Sequence, residues 1–438
     1  MSLQKFETKV FIPGKNWMLS LAELVAFFEA RKIWFEIDVF SREFFTVKTQ
    51  ENAETLDIAD FGGIIKIGKT SKSFPTDLIK EAFLEKDKES RNRIKQEITS
   101  ADLIGKMLEN ASGKYTFGVS VYNAEETLHP VSKIIQRHIG SAIKQQLRLH
   151  GVKAGFMGFS RDRQQPQLTH VEVLKKGMVE NKAEALVCIG KQQAFLAATT
   201  AVHDPFEFQK RDIGKPRQRK IFAMPPRLAK IMVNLSFCTP GKTLLDPFCG
   251  VGTILQEALL AKADVVGMDL NPWCVEAARA NMEWLKTEYK IAATEYRILR
   301  GDARGLARKI GQEAVDCIVT EPDLGPALRD VPTASYALKI IDKLKPLLFG
   351  FLEEANVVLT SGGRLVLVTP YFKTRSGKPV RMFLEETAEG VGFKKVFPFR
   401  KESFSGENMS VERLLGVRSL WDVAERHKVG REINVFQK

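Results

Sequence analysis

A chain of 438 residues, 44% of them apolar, is long enough for two or three domains with ordinary cores, and no stretch reaches the roughly 18 consecutive apolar residues of a membrane span. Its net charge of +13 and pI near 9.4 point to a polyanionic partner, nucleic acid first. The N-terminus has neither the basic nor the apolar region of a leader, so a cytoplasmic location is expected; the scattered cysteines and histidines argue against a disulfide framework or a metal site.

Residues 1–58 read as a small α+β unit. The strand KVFIPG precedes a helix in which Ser20 and Glu23 make the S-x-x-E capping pattern, with Leu21, Leu24, Val25 and Phe28 on one face. IWFEIDVF and EFFTVKT then alternate as strands do. Residues 59–194 read as a second α+β unit, entered through FGGIIKIG and continued by the strands KYTFGVSVYN and AEALVCIG, with a helix over 132–149. On that helix Lys133, Arg137, Lys144 and Arg148 fall within an arc of roughly 60°, while Ile135, Ile139, Ala142 and Ile143 point elsewhere, toward a core. The stripe is either a solvated face or an RNA-binding surface.

Residues 195–224 change character. The run from Lys210 to Lys220 holds six basic residues, including Lys210, Arg211, Lys215, Arg217 and Arg219, against the single acid Asp212, and reads as a basic linker exposed to RNA. Pro225 and Pro226 open a helix with Leu228, Ile231, Met232 and Leu235 at i, i+3, i+4 and i+7, and residues 225–438 suffice for one α/β sheet.

Within that last segment, TLLDPFCGVGTILQEALLA reads as strand, glycine turn and helix, the turn letting a ligand approach the backbone. A third glycine, needed for a nicotinamide-cofactor fingerprint, is replaced by Leu255. The next strand ends in Asp269, placed to accept from the two hydroxyls of a ribose; a third strand ends before Asp302, placed to accept an adenine amine. Acids at three successive strand ends, Asp246, Asp269 and Asp302, describe a nucleoside site.

Together, DPFCGVGT, MDLNP, GDA, the linker KRDIGKPRQRK and the helix start MPPRLAKIMVNL resemble the THUMP-containing tRNA guanine-N2 methyltransferases that use S-adenosylmethionine (SAM). The resemblance implies a Rossmann-like class I methyltransferase domain behind an N-terminal α+β, THUMP-containing RNA-binding region, SAM as methyl donor and tRNA as partner, modified at guanosine ten. It further implies that Asp246, Phe248, Gly250 and Gly252 hold the methionine end of SAM, Asp269 the ribose, and Asp302 with Ala303 the adenine, with Thr253 and Leu270 also at the cofactor.

One loop departs from the family. TEPDLGP stands where amino methyltransferases of this type carry Asp/Asn-Pro-Pro-aromatic, a motif whose acceptors align the amine and whose ring stacks on the extracted base. Glu321 keeps an acceptor, Pro322 is retained, Asp323 replaces the second proline and Leu324 the ring. On an enzymatic reading Glu321 and the Pro322 carbonyl accept the amine protons, Asp323 receives the released proton, and Tyr371 or Phe372 supplies the ring. On the competing readings the chain is an inactive tRNA-binding relative or assembly factor, with Asp323 a solvated turn residue, or it methylates DNA bases.

Overall fold

The computed structural model describes residues 6–50, 56–111, 113–158, 165–219, 223–405, 409–424 and 427–438. The alternating runs of the first half form one eight-stranded sheet. Its strands are β1 (Phe6–Pro13), β2 (Phe35–Phe40), β3 (Phe45–Gln50), β4 (Ile64–Pro75), β5 (Lys114–Asn123), β6 (Lys153–Phe156), β7 (Glu184–Ile189) and β8 (Gln193–Val202), in the order β2-β3-β1-β4-β8-β7-β5-β6. Segments 1–58 and 59–194 therefore share a ladder, β1 pairing antiparallel with β4. Inside this sheet Lys66 and Glu184, both under 2% exposed, form an ion pair of 2.5 Å, with Ser120 and Thr199 donating to the same carboxylate. A buried pair is tolerable only when its remaining lone pairs are satisfied in this way.

The helix Trp17–Ala30 buries Leu21, Leu24, Val25 and Phe28 as the periodicity requires, but the capping box is corrected. Asn16 is the N-cap, and Ser20 and Glu23 lie inside the helix, both buried. Glu23 accepts from the backbone N–H groups of Gly62 and Gly63 (both 2.7 Å) and from Asn234 Nδ2 (2.8 Å). Burial pushes its pKa up to about 7 against the pull of those hydrogen bonds. The predicted helix Ser132–Leu149 is present, with Ile135, Ile139, Ala142 and Ile143 buried, Arg137 and Arg148 exposed, and Lys133 and Lys144 half-buried.

The second sheet contains β9 (Thr243–Asp246), β10 (Asp264–Asp269), β11 (Tyr296–Arg300), β12 (Val315–Thr320), β13 (Leu359–Phe372), β14 (Val380–Arg381), β15 (Lys394–Lys395), β16 (Leu420–Asp422) and β17 (Val429–Gln437). Its main path is β11-β10-β9-β12-β13-β17-β15, with β14 on β13 and β16 on β17. The five strands from β11 to β13 are parallel, β17 runs antiparallel, and the chain order reverses between β9 and β12. Ligands of such sheets sit outside the carboxyl ends of the strands at that reversal.

The helix Pro226–Leu235 joins the two halves. A single apolar cluster runs from Phe11, Leu24 and Phe28 through Leu228 and Met232 to Leu244 and Val366. No described helix is long and apolar enough to cross a membrane.

Candidate active site

Strand ends at one edge of the second sheet build a cavity of about 350 Å³, lined by Asp246, Phe248, Gly250, Thr253, Asp269 and the loop 321–324, with Arg219 and Met224 reaching in from the linker. After β9 the chain turns through left-handed backbone at Gly250 (φ +51°) and Gly252 (φ +86°), and a Cβ on Gly252 would lie 3.1 Å from Met282 Cε. Only glycine fits that turn without strain.

Asp246 is 1% exposed, and its Oδ1 accepts from Thr320 Oγ1 (2.7 Å) and the Phe248 N–H (3.1 Å). Burial pushes its pKa up to about 7; the two hydrogen bonds oppose this, and the Asp269 and Glu321 charges add to it. The Asp269 oxygens accept from the N–H groups of Gly250 (2.9 Å) and Asn271 (2.8 Å). Each keeps a second lone-pair direction, the capacity a pair of ribose hydroxyls needs. Four carboxylates line this cavity, those of Asp246, Asp269, Glu321 and Asp323, a set that suits a cationic ligand such as a sulfonium nucleoside. Leu270, Asp302 and Ala303 lie outside the cavity lining. Leu270 is exposed, Ala303 is buried, and the Asp302 carboxylate accepts from the Arg304 N–H and guanidinium.

The basic linker is corrected at two positions. Arg211 is 5% exposed and ion-paired with the fully buried Glu257 (2.6 Å); Lys215 is 3% exposed and donates to Thr253 Oγ1 (2.9 Å). Both are packing residues of the helix Thr253–Leu260, because a buried carboxylate and a helix-start hydroxyl draw the cations inward. Lys210 pairs with Glu288 at the surface (2.5 Å). Arg217 is exposed, while its backbone N–H and C=O bind the Asn281 side chain, which also donates to the Val251 carbonyl. The linker is thereby stitched to the glycine turn.

In the loop after β12, Glu321 is clamped by both Nε and Nη2 of Arg431, and Arg431 Nη1 lies 3.6 Å from Asp422. Burial alone would lower the Arg431 pKa, but these carboxylates hold it above its ordinary value. Pro322 is buried; Asp323 is exposed and accepts from the Gly325 N–H (2.9 Å), holding the turn. Leu324 packs on the core. Phe372 is corrected as a stacking residue: it is fully buried among Leu245, Ile340 and Leu367, whereas Tyr371 is half-buried, its ring centroid 6.2 Å from that of Trp421.

Sequence reasoning missed Arg431, Thr320 and Asn281. Thr320 ends β12 beside Glu321 and was legible as a strand-end hydroxyl; Arg431 has no local signal, since its partner is 110 residues away.

A family model described as RMKL-like, methyltransferase domain, matches residues 216–376, and one described as DNA methylase matches residues 44–280. A tRNA (guanine(10)-N2)-dimethyltransferase of Methanothermobacter thermautotrophicus is 37% identical over 162 residues, 36% of this chain and 43% of that protein. Its counterpart from Methanocaldococcus jannaschii is 34% identical over 145 residues, 32% of this chain and 39% of that protein. The matches thus span about two-fifths of the length of these relatives. The crystal structure of TrmN from Thermus thermophilus shares the fold, with a TM-score of 0.50 at 18% identity over 99% of this chain and 100% of that one.

Proposed function

We propose that this chain, which belongs to the family whose DNA methylase model matches residues 44–280, acts as a tRNA guanine-N2 methyltransferase and methylates the exocyclic N2 amine of a guanosine in tRNA. SAM is the cofactor of this family, and when bound it supplies a methyl group made electrophilic by a sulfonium. The observation that carries the reading is the convergence of Asp246, Asp269 and Glu321 on one cavity beside the Gly250–Gly252 turn.

The residues divide the work by position. Asp269 would hold the ribose, Phe248 and Thr253 the wall toward the methionine end, and Asp246 the field around the sulfonium. An aromatic amine is a poor nucleophile because its lone pair is delocalised into the ring, so it must be aligned by acceptors that relieve its developing charge. Glu321, locked in direction by Arg431, and the Pro322 carbonyl, which has no N–H beside it, are those acceptors. Asp323 lines the same cavity and only its Oδ1 is engaged by the turn, so its carboxylate would receive the proton the amine releases after transfer. Tyr371, half-buried beside Trp421, remains the stacking candidate.

RNA would approach across the N-terminal region, which we read as THUMP-like, with Lys133, Arg137, Lys144 and Arg148 on its helical stripe, Arg217 exposed on the linker and Arg219 at the cavity. We also infer a cytoplasmic place of action. Incubation with methyl-labelled SAM and unmodified tRNA tests the proposal: label is expected in the RNA and absent with Glu321→Ala. Intact tRNA binding with no transfer and no SAM binding would select the inactive relative instead.

A further inference from the structure

Beside the first cavity a second cleft, of about 540 Å³, opens between the loop after β12 and the helix Ala334–Val358, and Asp323 lines both. The loop lies directly on this helix, Gly325 against Ile340, so one helix face is held next to the first cavity. Along the helix Ala337, Ile340, Ile341 and Leu344 are buried, while Tyr336, Lys339 and Lys343 recur at i, i+3 and i+7 and form one stripe that lines the cleft. Both lysines are exposed, and Tyr336 is 49% exposed. The Tyr336 N–H donates to Thr333 Oγ1 at the helix start (3.3 Å), and its ring takes no part in the core.

The charges around that ring favour an anion. Asp342 is paired with Lys345 (2.8 Å) and Asp323 Oδ1 accepts from the Gly325 N–H (2.9 Å), whereas neither Lys339 nor Lys343 meets a carboxylate among the described residues. Two unpaired ammonium groups one helical turn apart, beside an exposed ring, suit a single nucleotide, its phosphate on the lysines and its base on the ring. A base drawn out of its stack to reach Glu321 leaves the neighbouring base with one face bare, and a ring offered to that neighbour offsets the loss. Leu324, which stands at the motif's ring position, packs on the core, so a ring on this side of the loop comes from the helix.

We infer that this cleft holds the nucleotide adjoining the methylated guanosine, its base stacked on Tyr336 and its phosphate held by Lys339 and Lys343; the inference rests on the function proposed above. These are positioning residues, and transfer from methyl-labelled SAM to unmodified tRNA by the full chain tests them. Tyr336→Ala should lower kcat/KM for tRNA by about fivefold or more, and Tyr336→Phe should restore it to within about twofold, because a ring suffices. SAM affinity should stay unchanged in both. Lys339→Gln with Lys343→Gln should raise KM for tRNA with kcat kept, and reduce the salt slope of tRNA binding by about one per lysine removed. Wild-type kcat/KM in Tyr336→Ala, a Tyr336→Phe as impaired as Tyr336→Ala, or an unchanged tRNA affinity and salt slope in the double lysine variant would overturn the inference. Filter retention of tRNA keeps the two readings apart. A wild-type chain that binds tRNA without methylating it strikes the proposed reaction, and the cleft is then judged by whether Tyr336→Ala and the double lysine variant weaken that binding; a wild-type chain that binds no tRNA overturns the cleft as well.

Discussion

Asp246 concentrates the electrostatics of the site. It keeps its proton to about pH 7 when folded, against an ordinary value of 3.8. Between those values the folded chain binds more protons than the unfolded one, so this residue's contribution to stability falls as pH rises and levels off above pH 7. Asp246→Asn should therefore gain stability relative to the wild type from pH 4 to 7, measured by urea unfolding at each pH; a constant difference would refute the assignment. A bound cation favours the ionised carboxylate, so SAM affinity should rise toward a plateau above pH 7 in the wild type and lose that rise in the variant. Arg431 is the other decisive residue. Arg431→Ala leaves Glu321, 10% exposed, without its partner and should cost about 3–5 kcal/mol. Glu321→Gln combined with Arg431→Met should recover most of that stability without recovering transfer, as thermal melts and a transfer assay would show.

At the scale of elements, the site depends on turns that only glycine can make. Gly325 has φ +97°, and a Cβ there would lie 2.6 Å from Ile340 Cγ2. Gly325→Ala should destabilise the chain by about 1–3 kcal/mol. It should also slow methyl transfer while leaving SAM affinity within about twofold, because the strain falls on the loop of Asp323 and not on the cofactor turn; equal transfer rates would show that the loop's shape is not needed. The strands and the glycine turn were legible because each is local: TLLDPFCGVGT carries its apolar strand, its turn and its helix start in consecutive residues. The misreadings arise where the partner is remote. Ser20 and Glu23 have the spacing of a capping box, but Asn16 begins the helix one turn earlier, and Glu23 is drawn inward by Gly62, Gly63 and Asn234. Arg211 and Lys215 sit in a run whose composition reads as surface, and nothing nearby in sequence announces Glu257 or Thr253. Strand alternation alone does not say which of Tyr371 and Phe372 is buried.

For the whole molecule, the two sheets are held in register by a shared core and by the buried Glu23–Asn234 contact. Residues 225–438 expressed alone would expose Leu228 and Met232 to water, and should aggregate or melt well below the full chain; an unchanged melting temperature would show that the halves are independent. The same junction fixes the distance between the Lys133–Arg148 stripe and the cavity. Neutralising Lys133, Arg137, Lys144 and Arg148 together should weaken tRNA binding and flatten its salt dependence, with SAM affinity unchanged. If tRNA affinity held, the stripe would be a solvated face.

The central step is transfer of the methyl group to a guanine amine. Mass spectrometry of nucleosides from unmodified tRNA, treated with this protein and methyl-labelled SAM, tests that most directly. Label is predicted in N2-methylated guanosine, and label in any other nucleoside, or in none, would contradict it.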